Sequence, residues 1–61
     1  MAPHLTYELY LQHGDGTATF EPLTCANEDE LISAMQRMLD ERGLVAIEAR
    51  QFGRHLMTLA S

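Results

Sequence analysis

One segment of this 61-residue chain has the periodicity of an amphipathic helix, and it lies in the middle. In "ANEDELISAMQRMLDERG", apolar residues recur three and four positions apart, so they share one side of a helix. Asn27 is a favoured N-cap with Glu30 three residues later, and Gly43 suits the left-handed position that ends a helix. The pattern predicts a helix over about 28–42. Its core-facing stripe consists of Leu31, Ile32, Ala34, Met35, Met38 and Leu39.

Two strand-like segments precede the helix. "LTYELYLQ" alternates apolar and polar residues, as a half-buried strand does, and "HGDGT" follows with the Asp-Gly signal of a hairpin. "TATFEPL" indicates a second strand, and Pro22 places it at a sheet edge because proline cannot donate to a ladder. The expected core side consists of Leu5, Tyr7, Leu9 and Leu11, and the expected open side of Thr6, Glu8, Tyr10, Thr19 and Glu21.

Two further strands follow the helix, "LVAIEARQ" and "RHLMTLA", joined at Phe52 and Gly53. Val45, Ile47 and Ala49 are expected on the core side, and Ala46, Glu48 and Arg50 on the other. A two-residue loop would pair Ala49 with Leu56. A three-residue loop, Phe52-Gly53-Arg54 with a bulge, would pair Ile47 with Leu59 and Ala49 with Met57. Because a one-residue slip moves every side chain to the other face, burial favours the bulged register, which leaves Leu56 outside.

The predicted fold is α+β, with the order β-β-α-β-β in a single small domain over residues 1–61. Two hairpins form a four-stranded, mostly antiparallel sheet, and the helix packs on one face. The order of the strands within the sheet stays open, because local patterns do not specify how the two hairpins pair.

The order of these signals resembles that of small alphaproteobacterial-type ββαββ proteins of unknown function. The matching pieces are "YELYL" (7–11), "DG" (15–16), "FEPL" (20–23) and "AIEARQFGRHLMTL" (46–59), which span nearly the whole chain. The sequence departs from that pattern at "EAR", where such proteins often have an aromatic residue in the third strand. The resemblance implies the same fold and no particular activity.

Composition narrows the classes of function. Nine acidic and four basic residues give a net charge of −5, which disfavours binding to a nucleic-acid backbone. There is no apolar run of about 18 residues to span a membrane, and "MAPHLTYELYL" lacks the basic start of a secretory leader. Cys25 is the single cysteine, so no disulfide can form within the chain. We therefore expect a cytoplasmic protein with no membrane partner.

Candidate chemical sites are few. His4, His13, Cys25 and His55 could bind a metal, but none has the close paired spacing of zinc ligands. Cys25 precedes the helix, where the helix dipole could activate a thiol, yet no base or oxyanion site accompanies it. The run 28–30 is explained by capping and the helix dipole. The sequence predicts no catalytic residue, no metal site and no cofactor.

A small non-catalytic module that self-associates as a homodimer is the leading functional interpretation. A chain this short buries only about 60% of its unfolded surface, and no disulfide supplements the core. The alternative is a regulatory adaptor or inhibitor that binds another protein through an edge strand or the acidic helix face. The candidate interaction surface consists of Tyr10, Arg50, Arg54, His55 and Leu56.

Overall fold

The computed structural model describes residues 4–61 and confirms the order β-β-α-β-β. The strands are β1 (Leu5–Gln12), β2 (Ala18–Cys25), β3 (Ala46–Gln51) and β4 (Arg54–Ala60), and the helix is α1 (Glu28–Glu41). They form a four-stranded antiparallel sheet in the order β2-β1-β3-β4. The first strand of each hairpin is therefore central, and the predicted edge position of β2 is confirmed.

Capping fixes both ends of α1. Asn27 Oδ1 accepts a hydrogen bond from the Glu30 N–H at 2.9 Å, as the sequence predicts. At the other end Gly43 has φ 61°, its N–H donates to Asp40 O at 3.4 Å, and the Leu44 N–H donates to Leu39 O at 3.0 Å. These two bonds form a Schellman motif, which satisfies the last carbonyl groups and turns the chain back towards the sheet.

The Schellman motif corrects the predicted start of the third strand. Leu44 packs in the core instead of beginning a strand, because the apolar residue after such a motif packs back onto the last turn of the helix. Val45 is consequently 48% exposed, and β3 starts at Ala46. Leu5, at the other end of the core side, is also exposed. The buried cluster consists of Tyr7, Leu9, Leu11, Cys25, Leu31, Met35, Leu39, Leu44, Ile47 and Ala49.

The register predicted for the second hairpin is confirmed, but the loop that produces it is different. Ile47 pairs with Leu59 and Ala49 with Met57, as burial requires. The connection is nevertheless a two-residue turn, in which Phe52 has φ 53° and Gly53 φ 78°. The extra residue lies in β4, where the register shifts between the Ala49 and Arg50 pairs.

Leu56 is the residue added by this bulge, and it is half-buried against the core cluster. The prediction that Leu56 lies outside is therefore wrong. An extra residue on one strand interrupts the alternation of side chains, so two consecutive residues of β4 can contact the same core.

The prediction of which β2 side chains point to the open side of the sheet is also wrong. Thr19 and Glu21 pair with Leu11 and Leu9, whose side chains point to the helix side. Cross-strand partners share a face, so Thr19 and Glu21 belong to that side and not to the open side. Glu21 there forms an ion pair with Arg42, the C-cap of α1.

Candidate functional site

The candidate site is the face of the sheet that α1 leaves open, called here the open face. Its residues follow from the register, because directly paired residues point the same way. Three rows cross all four strands. The row nearest the β3–β4 turn contains Pro22, Glu8, Arg50 and His55. The middle row contains Phe20, Tyr10, Glu48 and Thr58. The row nearest the β1–β2 turn contains Ala18, Gln12, Ala46 and Ala60.

An aromatic pair occupies the middle row. The ring centroids of Tyr10 and Phe20 are 5.3 Å apart with an angle of 53° between the planes. This is the range in which aromatic rings attract one another beyond simple burial. Tyr10 is 38% exposed and Phe20 54% exposed, so much of the pair still contacts water. The open face therefore presents an apolar patch beside its charged residues.

A charged group adjoins the aromatic pair. Arg50 Nε donates to Glu48 Oε2 at 2.9 Å, and this bond and charge raise the pKa of the guanidinium above its ordinary value. The Arg50 guanidinium carbon also lies 5.4 Å from the centre of the Tyr10 ring, within range of a cation–π interaction. His55 Nε2 lies 2.9 Å from Thr58 Oγ1 and 3.9 Å from Glu48 Oε2.

A shallow depression of about 160 Å³ lies on the open face towards the β1–β2 turn. It exists because Ala18 and Ala46 are small next to Tyr10, so the floor drops beside the aromatic ring. Glu48 contributes a carboxylate to the wall. The full lining consists of Tyr10, Gln12, Ala18, Ala46, Glu48 and Thr58.

The structure brings most of the predicted interaction residues together. Tyr10 and Arg50 are in contact, His55 pairs with Arg50 in the register, and Arg54 is exposed at the adjoining turn. Leu56 does not belong to the open face because it packs against the core cluster.

Phe20 also belongs to the open face, and the alternation of β2 did not predict this position. The length of the loop between β1 and β2 determines the face on which Phe20 lies. Five residues separate Gln12 from Ala18, and these two pair directly, so Phe20 lies opposite Tyr10.

The other candidate sites do not converge. Cys25 is buried, and burial raises the pKa of its thiol, with a further contribution from the charge of Glu30. His13 Nε2 lies 2.8 Å from Thr19 Oγ1, far along the chain from His55. Among residues 4–61 no group of three or more metal-ligating side chains is close enough to hold an ion.

No family model matches the chain, and neither a curated protein nor a solved structure matches it significantly. The resemblance to small alphaproteobacterial-type proteins therefore stays a prediction. Within the part of the chain that the structure describes, α1 is too short and too polar to cross a membrane.

Proposed function

We propose that this chain is a small non-catalytic interaction module that forms a homodimer in the cytoplasm, and that two copies meet through their open faces. The observation that carries the proposal is the exposed pair of Tyr10 and Phe20 in the middle of the sheet face that α1 does not cover. Aromatic side chains are enriched at the centres of protein interfaces, where their burial contributes most of the binding energy.

Charge favours the open face over the helix side. α1 carries five carboxylates and one guanidinium, a net charge of −4, so two helix sides would repel each other. The open face carries Glu8, Glu48 and Arg50, a net charge of −1 without counting His55. Two-fold symmetry can place the Arg50 of each copy near a carboxylate of the other.

The size of the open face supports a weak and reversible dimer. Four strands about 4.8 Å apart and seven residues at about 3.3 Å each cover roughly 20 by 25 Å. A face-to-face pair would bury about 500 Å² per copy, or about 1,000 Å² in total, the lower bound for a specific interface. Interfaces at this lower bound are typical of weak and transient association, for which we expect a dissociation constant of about 1 to 100 µM.

The two sheet edges are less suited to association. Pro22 removes a donor from β2, and the bulge at Leu56 distorts β4. Both are devices that prevent an edge strand from pairing with another chain. They weaken the alternative of an adaptor that adds its edge strand to a partner sheet. An adaptor could still bind a basic partner protein through the acidic side of α1.

Sedimentation velocity over a concentration series tests the proposal. We expect the wild-type chain to pass from monomer to dimer within the concentration range of about 1 to 100 µM. Phe20→Thr keeps a strand-forming residue and removes the ring, so it should weaken the dimer at least about tenfold.

Leu5→Thr is the matched control, because Leu5 is an exposed strand residue on the helix side, and its dimerisation should match that of the wild type. A wild-type chain that stays monomeric throughout the series defeats the proposal. Co-purification of a second protein with that monomer from its native cells would favour the adaptor instead.

A further inference from the structure

Packing of the fold does not explain why an aromatic residue occupies position 52. Phe52 is 89% exposed, the highest value among the large apolar residues that the structure describes, and it has φ 53°. A bulky side chain rarely adopts a positive φ, because its Cβ approaches the backbone. Two-residue turns with positive φ at both positions favour Asn-Gly, and Phe52 stands where Asn is preferred.

The turn lies beside the open face. Ala46, Glu48 and Arg50 are the residues of β3 that face that side, and the turn that contains Phe52 begins where this strand ends. The Gly53 N–H donates to Glu8 Oε1 at 3.3 Å, and Glu8 is itself an open-face residue. A strained, exposed aromatic residue is therefore held at one end of the surface proposed for self-association.

A complementary depression lies near the other end of the same face. Its volume of about 160 Å³ is similar to that of a closed protein cavity of about 150 Å³ that binds benzene, but this depression is open to solvent and also carries Gln12, Glu48 and Thr58 in its lining. The benzyl group of Phe52 is of matching size. Tyr10 supplies an aromatic wall, and Ala18 and Ala46 supply an apolar floor.

The spacing permits a reciprocal arrangement. Phe52 lies four to six residues beyond Ala46 and Glu48, or about 13–20 Å along the strand. A two-fold axis that crosses the strands at the row of Glu8 and Arg50 would place each Phe52 over the depression of the other copy. Such an interface is closed and self-complementary, as a C2 dimer requires.

Charge also matches between the turn and the depression. Arg54 follows the turn directly, and Glu48 lines the depression. Both described contacts of the Glu48 carboxylate, with Arg50 and with His55, use Oε2. A guanidinium from the partner copy could thus approach Oε1 and form a charge-assisted hydrogen bond.

We propose that Phe52 is the anchor of the homodimer and that each copy inserts this ring into the open-face depression of the other. The inference rests on the proposed function and names the contact that holds the two copies together. It also accounts for Phe52 at a turn position where the fold alone would select Asn.

Phe52→Asn separates a binding role from a folding role. The change creates the favoured Asn-Gly turn, so the melting temperature at concentrations where the wild type is monomeric should be unchanged or higher. Dimerisation in sedimentation experiments should weaken at least about tenfold. Ala46→Leu fills the depression from the other side of the contact and should weaken dimerisation in the same way.

Each outcome decides the matter. A wild-type chain that never dimerises removes both the proposed function and this inference. A wild-type dimer whose dissociation constant is unchanged by either Phe52→Asn or Ala46→Leu overturns only the insertion of Phe52 into the depression. A Phe52→Asn chain that melts well below the wild-type monomer would make Phe52 a folding residue and would also overturn it.

Discussion

The guanidinium carbon of Arg50 lies 5.4 Å from the centre of the Tyr10 ring, on the side of the sheet opposite the helix. The same guanidinium bonds to Glu48, so one side chain connects the aromatic and the acidic parts of the open face. This contact joins β1 to β3, the two strands through which the hairpins form one sheet.

Replacing Arg50 with Lys tests the contribution of this contact. Lysine keeps the charge, but it lacks the planar group that can stack on Tyr10 while Nε bonds to Glu48. We expect a small decrease in the urea midpoint of Arg50→Lys, measured where the chain is monomeric. Arg54→Lys is the control, since Arg54 is exposed at the turn, and its midpoint should equal that of the wild type. Equal midpoints for both variants would show that the stacked contact does not stabilise the sheet.

Leu44 and Val45 are adjacent but differ greatly in burial. Leu44 is 2% exposed, and Val45 is 48% exposed. Leu44→Ala should lower the free energy of unfolding by about 2–4 kcal/mol, because it leaves a cavity under the end of α1. Val45→Ala should cost less than about 1 kcal/mol. Chemical denaturation of the two variants measures this contrast, and similar losses would contradict the packing that the Schellman motif produces.

The ion pair between Glu21 and Arg42 makes stability depend on pH in the acid range. Its hydrogen bond and charge lower the pKa of Glu21 below the ordinary value of 4.5. The folded state therefore takes up this proton less readily than the unfolded chain does. The stabilisation is present above the unfolded pKa and is lost as the pH falls through the lower folded pKa.

Glu21→Gln should therefore be less stable than the wild type at about pH 7, and the difference should vanish at about pH 2. Urea unfolding at several pH values follows the two chains. A difference that stays constant across this range would mean that the carboxylate does not stabilise the fold through its charge.

Cys25 should react slowly while the chain is folded. Its side chain is 1% exposed, and burial raises the pKa of the thiol, so little thiolate meets the solvent. We expect reaction with an aromatic disulfide reagent at about pH 8 to be at least about 100-fold slower in buffer than in urea. Equal rates in the two solvents would show that the junction between β2 and α1 opens readily.

Local signals in the sequence predict much of this fold. Asn27 and Gly43 mark the ends of α1, because each satisfies backbone groups within its own turn. The pairing of Ile47 with Leu59 follows from burial, because the other register would expose Met57 and Leu59. These features depend on neighbours in the chain or on a simple choice between two faces.

Features that helix capping and side-chain alternation do not specify were not predicted. The pairing of β1 with β3 joins residues 34 to 42 positions apart in the chain, and no local pattern specifies it. The position of the bulge was missed because the short turn at Phe52 and Gly53 and a bulge at Leu56 give the same pairing as a longer loop. Phe20 was missed because the length of the first loop, rather than the alternation of β2, sets its face.

The most direct test of the central claim is an NMR measurement of contacts between copies. A sample mixed from ¹³C-labelled and unlabelled chains, at a concentration above the dissociation constant, allows only intermolecular nuclear Overhauser effects to be selected. We predict such effects between the rings of Tyr10 and Phe20 in one copy and open-face protons in the other. Intermolecular effects confined to α1 or to the edge strands, with none from those rings, would contradict association through the open face.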